Sequence, residues 1–282
     1  MGKALADQFP VCREAFDEAD NALGESLSTL CFDGPEDRLM LTENTQPAIL
    51  ATSVAALRLV QSRGITASFA SGHSLGEYSA HVAAGTLSYA DALRTVRRRG
   101  RYMQDAVPVG EGAMAAILGL DRDGVTRACA DVEAETGRIV SPANLNAPGQ
   151  VVIAGHADAV AKASERVKTL GAKRAIPLAP ELRALPVSDP AFPVIANVDA
   201  EPKRDGASAV DALIRQVSSP VRWEDVVARL VSEGVTTCVE LGPGTVLAGL
   251  IRKIDRNVKV VSVEDPESFA SAMEQLEGTA RG

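Results

Sequence analysis

Apolar residues recur with a helical period in three long segments of the first part of the chain. This period predicts helices over residues 9–23, 45–63 and 90–103. Residues 66–72 (TASFASG) are short, uncharged and bounded by glycine, which is typical of a buried strand. The helical pattern begins again directly after Ser74.

The segment 112–178 follows a different order. Its apolar runs and helical patterns alternate as β-α-β-β-α-β, with an aspartate opening the first helix, and this is the ferredoxin-like order. Further on, short apolar runs alternate with helical patterns, which predicts a parallel sheet covered by helices. The predicted strands are residues 192–198, 236–241 and 258–263, and the predicted helices are residues 207–217, 222–233, 245–254 and 267–276.

These patterns predict an α/β fold with two domains. The large domain is a parallel-sheet, α/β-hydrolase-like unit made of residues 1–111 and 179–282, and is therefore discontinuous. The small domain, residues 112–178, is a ferredoxin-like unit inserted between its halves.

Composition excludes several classes of function. The formal charge of −8 argues against a nucleic-acid partner. The apolar runs are too short for a membrane span and no apolar leader opens the chain, so we expect a cytoplasmic protein. We also expect a monomer. The four cysteines are scattered without metal or redox spacing, which predicts free thiols and no metal site.

The run Gly72-His73-Ser74-Leu75-Gly76 carries the candidate chemistry. A serine in a tight turn between a strand and a helix projects from the carboxyl edge of a sheet, where it can serve as a nucleophile. The glycines permit such a turn, and the amide of Leu75 would donate to an oxyanion. A serine that only caps the helix is the alternative. His73 is too close in sequence to deprotonate Ser74, so we expect it to pack or to support the site.

Five segments resemble the malonyl-CoA:acyl carrier protein transacylase family of fatty acid biosynthesis. They are GHSLGEYSA, RGRYMQDAVPVGEGAMAAI, NLNAPGQVVIAG, SSPVRWEDVV and ELGPGTVLAGLIRKI. The resemblance implies an acyltransferase in which Ser74 takes malonyl from malonyl-CoA and passes it to the phosphopantetheine thiol of acyl carrier protein. Coenzyme A thioester is then a substrate, and no cofactor is bound permanently.

The resemblance also assigns residues. Arg99 matches the arginine that binds the malonyl carboxylate, a task suited to a planar guanidinium; a solvated basic helix face is its alternative. Gln46 matches an active-site glutamine, although an exposed polar residue at a helix start would look the same. Gln216 matches a position whose carbonyl orients the catalytic histidine. Asn144 and Asn146 match a loop at the edge of the pocket, and turn formation would also explain them.

Two family motifs have no counterpart in this chain. One is an N-terminal Gly-Gln-Gly-Ser-Gln, whose glutamine supplies half of the oxyanion hole. The other is a Ser-x-Pro-Phe-His segment with the general-base histidine, expected after residue 178. Neither His81 nor His156 fits that second role, and without a base Ser74 is a weak nucleophile.

The sequence leaves three functional hypotheses open. The first is malonyl transfer. The second is a serine esterase or thioesterase, which would release free acid and would not need Arg99. The third is a non-catalytic homologue that binds carrier protein or coenzyme A, and the missing histidine favours it.

Overall fold

The fold comes from a computed structural model that describes residues 1–106, 112–166, 182–217 and 219–279. Helices and three small sheets make up a mixed α/β structure. The last strand of the predicted β-α-β-β-α-β order, residues 172–178, lies outside the described residues.

The first hundred residues form a layer of helices. Pro10 at the first helical position and Gly24 in the left-handed region just after the last one set the ends of the second helix. The fifth helix is buried along most of its 20 residues and forms the centre of this layer. The helices are α1 (Lys3–Gln8), α2 (Pro10–Leu23), α3 (Leu27–Asp33), α4 (Glu36–Leu39), α5 (Thr42–Gln61), α6 (Gly76–Ala83) and α7 (Tyr89–Ala106).

An antiparallel sheet follows, in the order β1-β3-β2. The side chain of Asp121 accepts from the amide of Gly124 at 2.6 Å, so the predicted aspartate start of this helix is confirmed. The elements are β1 (Gly112–Leu118), α8 (Arg122–Thr136), β2 (Val140–Ala147), β3 (Gln150–His156) and α9 (Ala157–Arg166).

The helices predicted for the last part of the chain are present, but the strand predicted at residues 192–198 is only two residues long and pairs antiparallel with a short strand that the pattern did not predict. The last two strands pair in parallel over five residues each. The elements are β4 (Val194–Ile195), β5 (Pro202–Lys203), α10 (Gly206–Gln216), α11 (Trp223–Ser232), β6 (Thr237–Leu241), α12 (Val246–Ile254), β7 (Lys259–Val263) and α13 (Pro266–Thr279).

The predicted strand at residues 66–72 is wrong as a regular strand. Only Ala70 pairs, in one parallel bridge to Val194 in β4. Beyond Ala70, side-chain hydrogen bonds replace the backbone hydrogen bonds of a regular sheet. The Ser71 hydroxyl donates to the carbonyl of Ile195 at 3.0 Å, and the Asn197 side chain donates to the carbonyl of Gly72 at 2.8 Å. The segment is therefore extended but held by side-chain hydrogen bonds.

Four apolar clusters stabilise the described residues, and the smallest contains Ala80, Ala84 and Val194. The largest joins α2, α5, α6 and α7 with Phe269 and Val263 from the end of the chain. A second lies entirely within residues 113–163, and a third packs α11, α12 and β7 around Trp223. Among the described residues, none of the helices combines the length and apolar character that a bilayer span requires.

Ile153→Ala tests the second cluster. Ile153 lies in β3 and is fully buried, so we expect the free energy of unfolding to fall by about 2–5 kcal/mol, as for other buried large-to-small changes. The matched control is Met114→Ala in the adjacent strand, where 63 % of the side chain is exposed and the change should be below about 1 kcal/mol. Urea denaturation followed by circular dichroism measures both. Equal losses would contradict this assignment of the core.

Candidate active site

Ser74 occupies a sharp turn between the extended segment and α6. Its φ of 53° lies in the left-handed region, which only one other described non-glycine residue, Ala200, shares. Such a conformation costs of order 1–3 kcal/mol and persists only where neighbouring groups hold it. The strained turn predicted for Ser74 is therefore present.

The two glycines of the motif have different roles. A Cβ on Gly72 would lie 2.1 Å from the carbonyl oxygen of Gly76, so no side chain fits there. A Cβ on Gly76 would meet nothing within 4 Å, and its φ is not left-handed. The expectation that both glycines are needed is correct for Gly72 and wrong for Gly76, because the close approach involves only the backbone of Gly76.

Two carboxamides hold the backbone of the turn. Asn197 accepts from the Ser74 amide at 2.7 Å and donates to the Gly72 carbonyl at 2.8 Å. Gln216, the last residue of α10, donates to the Ser74 carbonyl at 3.0 Å. Three peptide groups around Ser74 are thus fixed by side chains more than a hundred residues away in sequence.

The Leu75 amide lies where an oxyanion donor is expected. The amides of Gly76, Glu77 and Tyr78 each donate three residues back, starting the helix. Among the described residues the Leu75 amide has no acceptor. A free amide at the positive end of a helix can donate to an oxyanion.

Arg99, on α7, contacts the Ser74 hydroxyl directly. Its guanidinium donates to the Ser74 Oγ at 3.0 Å, to the Gln46 Oε1 at 2.7 Å and to the Gln216 Oε1 at 3.4 Å. The Tyr78 ring lies 5.7 Å from the guanidinium carbon. Arg99 is only 7 % exposed, so the solvated basic face proposed as its alternative is wrong.

Every partner of Arg99 among the described residues is neutral. A buried cation without a carboxylate partner is costly, and an anionic ligand would offset that cost. Gln46 is also buried, with its Nε2 3.3 Å from the Met103 sulfur, so it is not an exposed residue at a helix start.

His73 turns away from the nucleophile. Its Nε2 donates to the Asn146 Oδ1 at 2.7 Å, and its ring packs against Trp223 with centroids 5.7 Å apart. Burial lowers the pKa of His73, which keeps the ring neutral. This contact agrees with the supporting role expected for His73.

The other two histidines are also away from Ser74. His81 is fully buried in α6, and burial lowers its pKa to about 4. His156 is the last residue of β3, where its Nδ1 lies 3.1 Å from the Ile139 amide. Among the described residues, the hydrogen-bond partner of the Ser74 Oγ is Arg99, and no carboxylate or imidazole contacts it.

Glu77 lies beneath the turn on α6 and is completely buried. Its Oε2 accepts from the side-chain Nε2 of Gln216 at 2.8 Å and from the backbone amide of Asn197 at 2.9 Å. Burial raises the pKa of Glu77 to about 7, against the opposing effect of these two hydrogen bonds.

Comparison with known proteins identifies the family of this chain. Residues 1–181 match the model of a family described as "Acyl transferase domain". The chain belongs to the acyl transferase family. The resemblance found in the sequence is thereby confirmed.

Individual acyl transferases are similar over nearly their whole length. The malonyl CoA-acyl carrier protein transacylase of Bacillus subtilis is 48 % identical over 294 aligned positions, covering 98 % of this chain and 92 % of that protein. Its Escherichia coli K12 namesake is 43 % identical, with coverages of 96 % and 93 %.

Solved acyl transferase structures share the fold. FabD from Acinetobacter baumannii superposes with a TM-score of 0.91 at 37 % identity, covering 99 % of this chain and 94 % of that one. PlMCAT, solved as a malonyl-transacylase in complex with a type II PKS acyl-carrier protein, gives 0.89 at 41 % identity, with coverages of 98 % and 94 %.

The acyl transferase site gathers most of the residues singled out in the sequence. Ser74, Leu75, Arg99, Gln46 and Gln216 lie together. The Gln216 contact is made by its side chain, whereas its carbonyl accepts from the Ser219 amide.

The loop predicted for Asn144 and Asn146 is wrong. Both residues lie in β2, because that strand pairs with β3 on one side and bonds to Val221 on the other. Asn146 reaches His73, while no contact between Asn144 and Ser74 is present among the described residues.

Sequence reasoning missed two residues of this site, Asn197 and Glu77. Glu77 had a signal, since it is a carboxylate three residues after Ser74, in the first turn of α6. Asn197 had none, because it is far from the motif in sequence and follows an ordinary apolar run.

Gly72→Ala tests the close approach of the turn. The added methyl group would overlap the Gly76 carbonyl, and we expect the free energy of unfolding to fall by roughly 1–3 kcal/mol or more. Gly76→Ala is the matched control, with room for the methyl group, and should change stability by less than about 1 kcal/mol. Thermal unfolding compares the two variants. A Gly72→Ala protein as stable as the control would refute the steric argument.

Proposed function

We propose that the chain is a malonyl-CoA:acyl carrier protein transacylase of fatty acid biosynthesis. The observation that carries the proposal is the buried guanidinium of Arg99, which has only neutral partners among the described residues and contacts the Ser74 hydroxyl. A malonyl thioester has a reactive carbonyl for Ser74 and, two carbons away, a carboxylate for Arg99. The names of the B. subtilis and E. coli relatives support this substrate.

The reaction proceeds in two steps. The Ser74 Oγ attacks the thioester carbonyl, the carbon–sulfur bond breaks, and the proton of the hydroxyl leaves with the thiol of coenzyme A. The thiol of the carrier protein then attacks the ester and returns a proton to Ser74. The Leu75 amide donates to the oxyanion in both steps. Coenzyme A thioester is a substrate, and the reaction needs no bound cofactor.

The partner we propose is acyl carrier protein. Its support is the PlMCAT complex, in which a related chain is bound to such a protein. We place the reaction in the cytoplasm, with support from four free cysteines, three of them buried.

The fold of the proposed enzyme follows the two-domain hypothesis. We propose residues 112–178 as the ferredoxin-like domain; its described part, residues 112–166, supports this with the sheet order β1-β3-β2 and an apolar cluster of its own. We propose residues 1–111 and 179–282 as the α/β-hydrolase-like domain; the parallel pairing of β6 with β7 and of Ala70 with Val194 in its described part supports this.

A second candidate is a non-catalytic homologue that binds malonyl-CoA or carrier protein. One observation favours it: no imidazole or carboxylate contacts the Ser74 Oγ among the described residues. Loss of a triad member typically costs about 10⁴-fold in rate. The esterase hypothesis is less favoured, because it gives Arg99 no role.

Arg99→Ala tests the substrate. Loss of a buried charge partner should lower the specificity constant for malonyl-CoA relative to acetyl-CoA by roughly 10²-fold. Arg98→Ala, which changes an exposed arginine on the same helix, is the control and should leave the ratio unchanged. Transfer of radiolabelled acyl groups to carrier protein measures both. A ratio unaffected by Arg99→Ala would refute the proposal.

Ser74→Ala distinguishes catalysis from binding. The wild-type chain should retain radiolabelled malonyl on the peptide that contains Ser74, and the variant should retain none while still binding malonyl-CoA. Peptide mapping after digestion measures retention, and calorimetry measures binding. Binding without label in the wild type would establish the non-catalytic candidate.

A further inference from the structure

The backbone around Ser74 is held at three points. The Ser74 amide and the Gly72 carbonyl both bond to the Asn197 carboxamide, and the Ser74 carbonyl bonds to the Gln216 carboxamide. These bonds link the two sides of a turn whose φ of 53° is unfavourable for serine. The orientation of the nucleophile therefore depends on how firmly Asn197 and Gln216 are themselves placed.

Both residues converge on one atom. The Glu77 Oε2 accepts from the backbone amide of Asn197 at 2.9 Å and from the side-chain Nε2 of Gln216 at 2.8 Å. The second bond also fixes which way the Gln216 carboxamide points, because with Nε2 toward Glu77 its Oε1 faces Arg99. Glu77 thus connects to the turn through Asn197 and to the guanidinium through Gln216.

Glu77 has no other evident task. It is completely buried, it is absent from the ion pairs of the described residues, and its Oε1 has no partner among them. Burying a carboxylate with one orphan oxygen costs free energy. A residue of this kind at a functional site indicates that its hydrogen bonds serve function at the expense of stability.

We propose that Glu77 is a positioning residue for acyl transfer, acting as the common acceptor that places Asn197 and Gln216 and, through them, the Ser74 turn and Arg99. The role in acyl transfer rests on the proposed function. The hydrogen-bond network itself does not, so structure can test it independently of activity.

Charge gives this network a dependence on pH. Glu77 gains a proton as pH falls through about 7, and a carboxylate accepts hydrogen bonds more strongly than a neutral acid. The charged groups that act on it are Asp199, which raises its pKa, and Lys203, which lowers it. Tyr78 and His81 share its helix, and their pKa values of about 12 and about 4 keep both side chains neutral from roughly pH 6 to roughly pH 8.

The sign for stability follows from linkage. The pKa of Glu77 is higher in the folded state than its ordinary value of 4.5, so the folded state binds more protons between pH 4.5 and about 7. The contribution of Glu77 to stability therefore falls as pH rises through that range and is constant above it. Glu77→Gln should remove this slope.

Two substitutions separate positioning from packing. Glu77→Leu keeps the buried volume and removes the acceptor, and replacing a buried charge by an apolar group is often neutral or stabilising. Glu77→Gln keeps an oxygen acceptor without the charge. Thr86→Val is the control: it changes a buried hydroxyl that has no partner among the described residues and lies outside the site.

We expect Glu77→Leu to remain folded while the rate of Ser74 acylation by saturating malonyl-CoA at pH 8 falls about tenfold or more, because small displacements of a nucleophile are costly. The KM should change by less than about threefold, since the shorter hydrogen bond to Gln46, at 2.7 Å against 3.4 Å for Gln216, still holds the Arg99 guanidinium for the substrate carboxylate. Glu77→Gln should recover most of the rate, and the small loss that remains should be the same from pH 8 to pH 6. The wild-type rate should fall by a similar small factor over that range, as Glu77 gains its proton. Thr86→Val should behave as wild type.

Several results would overturn the proposal: a folded Glu77→Leu protein with the wild-type acylation rate, a Gln variant no better than the Leu variant, or equal pH profiles for wild type and Glu77→Gln. If the wild type forms no acyl-enzyme, the proposed function fails first. Crystal structures then decide the network alone. Loss of the bond between the Ser74 amide and Asn197 in Glu77→Leu would support it, and an unchanged turn would refute it.

Discussion

The left-handed backbone of Ser74 is the constraint on which the site depends. It costs free energy, and the described structure offsets that cost with hydrogen bonds from Asn197 and Gln216 rather than with a regular strand. Ladder bonds would have fixed the segment before the turn in one plane. Side-chain bonds at Ser71 and Gly72 instead leave the chain free to bend into α6. The interruption of the strand and the exposure of the nucleophile are therefore one feature.

The charge of Arg99 is a second constraint on the surroundings of Ser74. Arg99 brings a full positive charge to the Ser74 hydroxyl, and its neighbours Gln46 and Gln216 supply dipoles without cancelling that charge. The nearest buried carboxylate in the network, Glu77, meets Gln216 and not Arg99. Gln216 thus separates an anion from a cation that would otherwise pair. Because Glu77 does not pair with Arg99, a substrate carboxylate can form that ion pair instead.

The sequence predicts the long elements well and the contacts of the site poorly. Helices such as α5 and strands such as β7 carry a periodic pattern over many residues, and burial of one face determines them. The two residues of β4 and the extended run before Ser74 carry no such signal, because side-chain hydrogen bonds from distant residues decide their conformation. The same reason hides Asn197. For Gly76 the sequence predicted too much. The motif suggested that both glycines must lack a side chain, whereas only Gly72 has no room for a Cβ.

Acyl transfer requires both stabilisation of negative charge on the Ser74 oxygen and removal of the Ser74 proton. Arg99 donates a hydrogen bond to the Ser74 Oγ, which stabilises developing negative charge on that oxygen but accepts no proton from it. When a substrate carboxylate binds Arg99, part of this stabilisation moves to the substrate. The two tasks of the guanidinium therefore compete, and a base would ordinarily resolve the competition by taking the proton of Ser74. Among the described residues, the Leu75 amide, the Arg99 guanidinium and the Ser74 hydroxyl are assembled, whereas no carboxylate or imidazole is placed to take the proton of Ser74. Acyl transfer therefore requires a proton acceptor other than the side chain that contacts the Ser74 Oγ in this arrangement.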